Sequence, residues 1–267
     1  MEFSLKRVGD MNLHYFESKA DSPIQLIFTP GVLGPEVWRH QLRYFSKKFD
    51  TIAYNTTFSN RSFDDQMKAL ETVISQENVE NAVLIGQGPG NSLVQAFEED
   101  EDVVGTILTS VQDDFRSVPK ELYGIGKRLG FMEPKLVKKF FFSDITDYNV
   151  VKEFVEDLDL VKNSDYRSFV ENYSIRTPVK QSMIIHATED RFSDRECARD
   201  VEGANLSVID AGTFSFYEKP QEFNKMLHDF LLKMERKAIK EKIEEEQEKN
   251  KTLADFQNKR LAKVNRQ

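Results

Sequence analysis

Short apolar segments alternate with helical patterns along much of the chain. Seven of these segments are candidate strands, and several of them are nearly continuous in apolar residues, which is typical of parallel strands that are covered on both faces. The seven are Leu13–Phe16, Gln25–Phe28, Thr51–Tyr54, Ala82–Ile85, Val103–Leu108, Ser182–His186 and Leu206–Ile209. Between them apolar residues recur at helical spacing, as at Trp38, Leu42 and Phe45. The alternation predicts an α/β fold built on a doubly wound, mostly parallel sheet.

The alternation stops between residues 111 and 177, where the pattern predicts short helices and no central strand. The expected helices are Pro119–Leu129, Pro134–Phe142, Asn149–Val161 and Tyr166–Tyr173. We interpret 111–177 as a helical cap insertion that closes over the sheet. The core is then formed by residues 1–110 and 178–234.

The end of the chain combines a packing helix with a charged tail. Apolar residues from Phe223 to Met234 follow helical spacing and predict a last helix packed on the core. We interpret 235–267 as a charged helical tail, in which a second short helix begins at Thr252 with Asp255 as part of its cap. Its candidate partner-binding residues are Leu253, Phe256, Lys259, Arg260, Leu261 and Val264.

Charge is distributed unevenly over the 267 residues. The net charge is −8, yet residues 249–267 alone carry +5, which leaves −13 on residues 1–248. An acidic body argues against a nucleic-acid partner, because phosphate binding depends on lysine and arginine. The basic tail predicts an interaction arm for a protein partner with an acidic or mixed-charge surface. A frayed, solvated tail is the alternative.

Composition excludes several other classes. One cysteine, Cys197, rules out an internal disulfide framework and a multi-cysteine zinc site, and no motif indicates a metal or cofactor. No run of ~18 apolar residues exists, so no membrane span is expected. The N-terminus lacks the apolar stretch of a signal peptide, which favours a cytoplasmic location. The acidic run 98–102 is interpreted as a solvated loop.

Four loops follow predicted strands, at the edge of a parallel sheet where chemistry gathers. They are Thr29–Gly34, Gly86–Asn91, Ala187–Arg191 and Asp210–Phe214. Their order and spacing resemble the α/β-hydrolase superfamily over about residues 13–232. The resemblance implies the α/β-hydrolase fold, with a mostly parallel central sheet flanked by helices, a helical cap insertion and here a charged C-terminal helical extension.

The catalytic positions that the resemblance assigns are degenerate. The superfamily's Gly-x-Ser-x-Gly elbow exposes a serine nucleophile, and this chain has Gly88 at that position. The oxyanion-hole positions are Val32 and Pro89, and proline has no N–H to donate. The position of the catalytic histidine is Thr213, which cannot accept a proton near neutral pH as imidazole does. Only the acid, Asp190, is retained.

The remaining candidates have structural explanations. The family's early His-Gly motif is here Pro30-Gly31, and an apolar pocket is expected around Pro30, Gly31, Val32, Gly88, Pro89 and Thr213. Ser92 and Ser110 are expected to bond locally or cap rather than attack a substrate. The four histidines (His14, His40, His186 and His228) lie on predicted strands and helices, where packing or surface roles are the usual ones.

Two functions stay open from the sequence. The favoured one is a catalytically inactive pseudohydrolase that acts as a binding or scaffolding protein, with a small apolar ligand under the cap or a protein partner on the tail. The alternative is an enzyme of the same fold with an unconventional site for a small apolar, acyl or ester substrate. An ordered Asp190–Thr213 pocket with bound substrate would favour the enzyme.

Overall fold

The computed structural model describes residues 3–31, 33–56, 62–112, 132–157, 166–173, 176–193 and 195–264. Eight strands form one sheet in the order β1-β2-β4-β3-β5-β6-β7-β8. They are β1 Ser4–Val8, β2 Met11–Ser18, β3 Gln25–Phe28, β4 Asp50–Thr56, β5 Ala82–Gln87, β6 Val103–Thr109, β7 Gln181–Ala187 and β8 Ala204–Ile209. β2 pairs antiparallel with β1 and β4, and every pairing from β4 to β8 is parallel. The prediction of a mostly parallel sheet is confirmed.

Nine α-helices are described. They are α1 Arg39–Phe45, α2 Phe63–Gln76, α3 Asn91–Ala96, α4 Pro134–Phe141, α5 Tyr148–Asp157, α6 Tyr166–Glu171, α7 Arg195–Asp200, α8 Ser215–Glu218 and α9 Pro220–Val264. Two 3₁₀ turns, Pro35–Trp38 and Gly88–Gly90, follow β3 and β5. Three expected helices of the 111–177 segment are confirmed in α4, α5 and α6. The expected helix 119–129 lies outside the described residues.

All seven predicted strands are confirmed, and one strand was missed. β1 lies at the edge of the sheet, and of its five residues only Val8 is buried. An edge strand that buries so little has no apolar run from which it could be predicted. It is positioned by antiparallel pairing with β2, in a register that places Ser4 opposite Tyr15 and Val8 opposite Met11.

Helices cover both faces of the sheet, as the buried strand residues require. One core joins strand residues such as Phe28 and Ile85 to Trp38 and to the buried face of α9. The second core joins the other strand face to α2, around Leu70 and neighbouring residues. Because both faces are covered, only the edges and loops of the sheet are free to carry a site.

The acidic run 98–102 is not wholly a solvated loop. Glu98 is buried, and one of its carboxylate oxygens accepts hydrogen bonds from the Lys180 backbone N–H (3.2 Å) and the Ser182 hydroxyl (3.3 Å). The correction has a simple cause: β7 begins beside Glu98, and the N–H and hydroxyl groups there need an acceptor.

The charged tail is one continuous helix with the packing helix, and the second helix expected at Thr252 does not exist. α9 runs unbroken for 45 residues. No glycine or proline occurs after Pro220, and strong helix formers fill the stretch, so nothing ends the helix at 244–251. The backbone of this helix therefore includes the candidate partner-binding residues Leu253, Phe256, Lys259, Arg260, Leu261 and Val264.

The packed part of α9 is its first third. Buried side chains such as Phe223 and Leu227 recur as far as Met234, whereas Ile239 and Ile243 are 44% and 49% exposed. Among the described residues, no helix is both long and apolar enough to cross a membrane.

Candidate functional site

The turn after β5 forms the centre of the candidate site. β5 ends at Gln87, the 3₁₀ turn Gly88–Gly90 follows at once, and α3 begins at Asn91. Gly88 has φ +55°, in the left-handed region, where a residue with a Cβ pays ~1–2 kcal/mol. The sharp strand-to-helix elbow is therefore present, and the residue at its apex carries no side chain that could attack a substrate.

The two outer glycines of the elbow allow backbones to approach closely. A Cβ on Gly90 would lie 2.9 Å from the Gly31 Cα and 3.1 Å from the Pro30 carbonyl oxygen. A Cβ on Gly86 would lie 2.7 Å from a Val94 methyl group of α3. The Gly-x-Gly-x-Gly spacing is thus explained by packing between β5, α3 and the loop after β3.

That packing brings most of the expected pocket positions together. Pro30, Gly88 and Pro89 are buried, and a Cβ on Gly31 would lie 3.2 Å from the Gln87 carbonyl oxygen. Val32, the other expected oxyanion-hole position, lies outside the described residues. Pro89 follows Gly88, the expected nucleophile position, and proline has no N–H, so the backbone donor expected there is missing.

The acid and base positions do meet in space. The Thr213 hydroxyl donates to Asp190 Oδ1 over 2.7 Å, and the backbone N–H of Phe192 donates to the same oxygen over 2.9 Å. Thr213 is buried. Asp190 Oδ2 is also buried and has no hydrogen-bond partner among the described residues. The acid is therefore held in place by a hydroxyl and a turn amide, and the hydroxyl cannot serve as a general base.

Ser92 and Ser110 are both engaged in local hydrogen bonds. The buried Ser92 hydroxyl donates to the Pro89 carbonyl over 3.0 Å, one turn back along the chain. Ser110 follows β6 with φ +53°, and its hydroxyl donates to the Thr213 carbonyl over 3.2 Å. Ser110 thus links the end of β6 to the loop that carries Thr213. The sequence indicated Ser110 but not this contact.

The histidines contact other parts of the fold. His14 pairs with Glu36 at 2.9 Å, and His40 stands edge-on to Tyr217. His186 lies within 3.3 Å of the Ser193 hydroxyl. His228 packs against Phe49, where burial and, secondarily, the charge of Lys48 lower its pKa.

Helices that follow β6 cover the elbow and the Thr213 loop. α6 contacts the 3₁₀ turn Gly88–Gly90, and its Phe169 packs edge-on against Phe63 of α2 at 5.7 Å. Phe214, next to Thr213, stacks on Phe141 at 5.2 Å and on Phe154 at 4.5 Å. Most of the aromatic residues described in this segment therefore pack on the sheet's loops as a core, and Tyr148 is exposed.

Glu218, which the sequence did not indicate as a functional residue, binds the loop that follows α4 to the loop that follows β8. Glu218 Oε2 accepts from the backbone N–H groups of Gly212 (2.9 Å) and Ser143 (3.2 Å). Glu218 Oε1 accepts from the hydroxyls of Ser143 and Thr146, the latter at 2.5 Å. The donors lie about 70 residues before Glu218 or six before it, so no local spacing could have predicted the cluster.

Gly212 shows how close this contact is. A Cβ there would lie 2.6 Å from the Phe141 carbonyl oxygen and 2.6 Å from the Phe142 Cα. The loop after β8 and the end of α4 therefore touch backbone to backbone beside Thr213. Among the described residues, no group of three or more histidine, cysteine or acidic side chains is arranged to hold a metal ion.

The fold has many solved neighbours, whereas two comparisons by sequence found no match. No protein-family model matches the chain, and no curated protein matches it in sequence. An enol-lactonase from Burkholderia xenovorans LB400 superposes with a TM-score of 0.67 at 15% identity, covering 86% of this chain and 100% of its own. A putative lipase from Acinetobacter baumannii AYE gives 0.69 at 15% identity, covering 88% and 92%.

A thermophilic esterase from Thermogutta terrifontis is similar in the same way, with a TM-score of 0.67 at 15% identity over 88% of this chain and 98% of its own. Together these similarities show that the chain has the α/β-hydrolase fold. At such low identity they establish the architecture, and the chemistry of this chain has to be argued from its own residues.

Proposed function

We propose that this protein is a non-catalytic member of its fold class, a pseudohydrolase that acts by binding or scaffolding. The observation that carries the proposal is Gly88 at the apex of the elbow with φ +55°. The geometry that exposes a nucleophile is kept while the nucleophile is absent. Pro89 and Thr213 support it, because the first lacks the oxyanion donor and the second cannot act as the base.

The proposed division of labour follows the fold. Residues 111–177 act as a cap over the elbow, held by Glu218, on a core formed by 1–110 and 178–234. Residues 235–267 act as an arm that binds an acidic or mixed-charge protein surface, in the cytoplasm. The arm is supported by the helix that continues past the packed part of α9 and by the +5 charge of residues 249–267.

The test is covalent labelling of the purified full chain with a fluorophosphonate probe, together with ester hydrolysis assays. We expect no labelling and no turnover above buffer, because among the described residues the elbow offers only Gly88 and hydrogen-bonded serines. Ser92→Ala and Ser110→Ala are the matched controls. A stoichiometric adduct that one of these variants removes would overturn the proposal and identify the nucleophile.

A second candidate function rests on Asp190. Its Oδ2 atom is buried without a partner among the described residues, and an unpaired buried carboxylate oxygen is costly unless something donates to it. A small apolar ligand with one hydrogen-bond donor would satisfy it. The solved neighbours described as esterase, lipase and lactonase support starting from acyl, ester and lactone compounds.

This second candidate is tested by thermal shift with fatty acids, small aromatic esters and lactones. A compound that stabilises the native chain and not Asp190→Ala would support a ligand site at Asp190. Turnover of such a compound, lost in Asp190→Ala, would favour an unconventional enzyme over a carrier. If none of these compounds shifts the native chain, the ligand site is rejected and the scaffold proposal stands alone.

A further inference from the structure

The place where α9 leaves the body carries exposed apolar residues. Ile239 and Ile243 are 44% and 49% exposed. Together with Pro23 they line an open groove with a volume of about 510 Å³. The two isoleucines are one helical turn apart and so lie on the same side of α9, next to Pro23 of the body.

An acidic groove adjoins this apolar surface. It has a volume of about 590 Å³ and lies at the amino ends of the parallel strands, opposite the elbow. Its lining includes five acidic residues and two lysines; the acidic ones are Asp50, Glu80, Glu101, Asp102 and Glu241. The buried side-chain nitrogen of Gln25, which also lines it, has no acceptor among the described residues.

The negative charge of the groove is only partly compensated within the chain. Burial raises the pKa of Asp102, and the neighbouring carboxylates of Asp100, Glu101 and Glu80 raise it further. Such a pattern shows that a positive group placed in the groove would be stabilised by several carboxylates at once. The groove therefore fits a cationic segment.

The far end of α9 is such a segment. Residues 239–248 carry a net charge of −3, whereas residues 249–267 carry +5, including Lys259, Arg260 and Lys263 in the last turns of the helix. From Ile239 to Val264 the helix rises about 38 Å at 1.5 Å per residue. Because the helix is continuous, its basic tip cannot turn back to the groove at its own foot.

We propose that the occupant is a second copy of this chain: two α9 helices pair antiparallel, and the basic tip of each lies in the acidic groove at the foot of the other. This proposal rests on the proposed function in one respect: it takes residues 235–267 as a binding arm and names the arm's partner. One contact then explains three features: the acidic stretch 239–248 (the root of the projecting helix), the basic residues 259–263 (its tip) and the exposed isoleucines.

The spacing of residues along α9 fits this pairing. Positions 239, 243, 246, 250, 253, 257, 260 and 264 alternate steps of four and three, which is the spacing of a two-helix seam. In an antiparallel pair centred between 251 and 252, Ile239 meets Val264, Ile243 meets Arg260, and Asn250 meets Leu253. Polar residues at 246, 250, 257 and 260 make half of the seam polar, which keeps it weak and specific in register, and Arg260 lies where the seam borders the acidic groove.

Charge also selects the antiparallel direction. A parallel pair would bring acidic root to acidic root and basic tip to basic tip. It would also bring together two bodies that each carry −13 over residues 1–248. The antiparallel pair separates the bodies by about the length of the projecting helix, several times the ~8 Å Debye length at physiological salt.

The test uses sedimentation of the full chain and two charge-reversal variants. Lys259→Glu/Arg260→Glu/Lys263→Glu makes the tip acidic, and Glu80→Lys/Glu101→Lys/Asp102→Lys makes the groove basic. We expect the native chain to dimerise and each variant to lose at least about tenfold in affinity, because close charge pairs steer and hold such interfaces. A 1:1 mixture of the two variants should dimerise again, since both contacts of the mixed pair are then complementary.

A charge-matched control separates the tip from net charge. Lys135→Glu/Lys225→Glu/Lys233→Glu changes exposed lysines of the body by the same amount. It should dimerise like the native chain at 150 mM salt. Loss of dimer in this control, or no recovery in the mixture, would overturn the proposal.

Direction is tested by cysteine cross-linking on the full chain, whose single native cysteine, Cys197, is buried. Under oxidation, a mixture of Asn250→Cys and Leu253→Cys chains should form a mixed disulfide, whereas Asn250→Cys alone should not link to itself. Self-linking of Asn250→Cys would indicate a parallel pair and reject the proposal. A chain that stays monomeric up to about 100 µM would reject it too, while the absence of fluorophosphonate labelling would still support the non-catalytic function.

Discussion

At the scale of single residues, the elbow keeps its backbone conformation although Gly88 at its apex has no nucleophilic side chain. The superfamily's elbow needs a left-handed backbone at its apex, and a serine there pays for that strain because it supplies a nucleophile. Gly88 adopts the same φ without strain. Pro89 lies in the first turn after the strand, where proline is well suited because the missing N–H would have no partner within the helix. Under the proposed non-catalytic function, the residues at 88, 89 and 213 are consistent with one another.

The first prediction is that Gly88→Ser restores no hydrolysis. The position expected for the general base would still hold Thr213, and Pro89 would still offer no oxyanion donor; triad members act as a unit. The variant should also lose about 1–2 kcal/mol of stability from the left-handed backbone. Gly88→Ala is the matched control, with the same backbone cost and no hydroxyl. Ester turnover in Gly88→Ser but not in Gly88→Ala would contradict the prediction.

The second prediction concerns the hydrogen bond between Thr213 and Asp190. Thr213→Val keeps the shape of the side chain and removes the donor, which leaves a half-buried carboxylate with the Phe192 amide alone. We expect a loss of about 1.5–3 kcal/mol in the free energy of unfolding, as for hydrogen bonds to charged groups. Urea unfolding measures it. Thr213→Ser retains the hydroxyl and should lose clearly less; equal losses in both variants would attribute the effect to packing instead.

At the scale of elements, the fold depends on attachments that join distant segments. Glu218 lies in the four-residue helix α8, yet its carboxylate holds the loop between α4 and α5 to Gly212. The two carboxylate oxygens accept from different donors: Oε2 accepts from two backbone N–H groups, and Oε1 accepts from two hydroxyls. A backbone N–H can only donate, whereas a hydroxyl can rotate and accept.

The third prediction follows from that difference. Glu218→Gln can turn its carbonyl oxygen to the N–H groups and its amide nitrogen to the hydroxyls, so it should lose only about 1 kcal/mol. Glu218→Ala leaves the buried N–H groups of Gly212 and Ser143 unpaired and should lose about 3 kcal/mol or more. Limited proteolysis should cut the 132–147 region faster in the alanine variant. Equal stability of the two variants would show that Glu218 does not hold this loop.

The elements also show what a sequence can and cannot reveal. Strands β3 to β7 were predictable because nearly all of their residues are buried and most of these are apolar, and β2 and β8 were predictable from shorter apolar stretches. The elbow was predictable because its glycines are close together in the sequence. β1 was missed because it buries little, and Glu218 was missed because its donors are brought together only by the closed fold. The unbroken α9 was missed because a cap motif at Thr252 was given more weight than the absence of any residue that ends a helix.

The fourth prediction is a pH dependence that comes from Glu98. Burial raises the pKa of this carboxyl above its ordinary value of 4.5, although the Lys180 and Ser182 donors partly oppose the shift. The native state therefore binds the proton more tightly than the unfolded chain. The resulting stabilisation is complete below pH 4.5 and is lost as the pH rises through the native pKa.

Glu98→Gln removes this titration while it keeps an acceptor for Lys180 and Ser182. The stability of the variant relative to the native chain should therefore increase from pH 4 to pH 7. Glu99→Gln, at the neighbouring exposed position, is the control for the change in net charge. Unfolding by urea at several pH values measures both, and a difference that stays flat between pH 4 and pH 7 would contradict the assignment.

At the scale of the whole molecule, the chain combines a compact body with a long helix that leaves it. The body buries α9 as far as Met234, while Ile239 and Ile243 are already half exposed. A helix in water gains little from its own hydrogen bonds, so most helical stability in proteins comes from packing. A projecting helix without a partner should therefore be the least stable part of the molecule, and it should become ordered when it pairs.

The last prediction uses this separation of body and arm. Truncation after Asn250 removes Lys259, Arg260 and Lys263 together with Leu253 and Val264, all beyond the buried part of α9. At about 1 µM, where the chains are mostly apart, the free energies of unfolding of the truncated and native chains in urea should agree within about 0.5 kcal/mol, as for changes outside the packed structure. At about 100 µM only the native chain should gain stability, because association favours the folded state by mass action. If truncation lowers the free energy of unfolding at 1 µM, the arm packs on its own body, and the assignment of residues 249–267 to a partner is wrong.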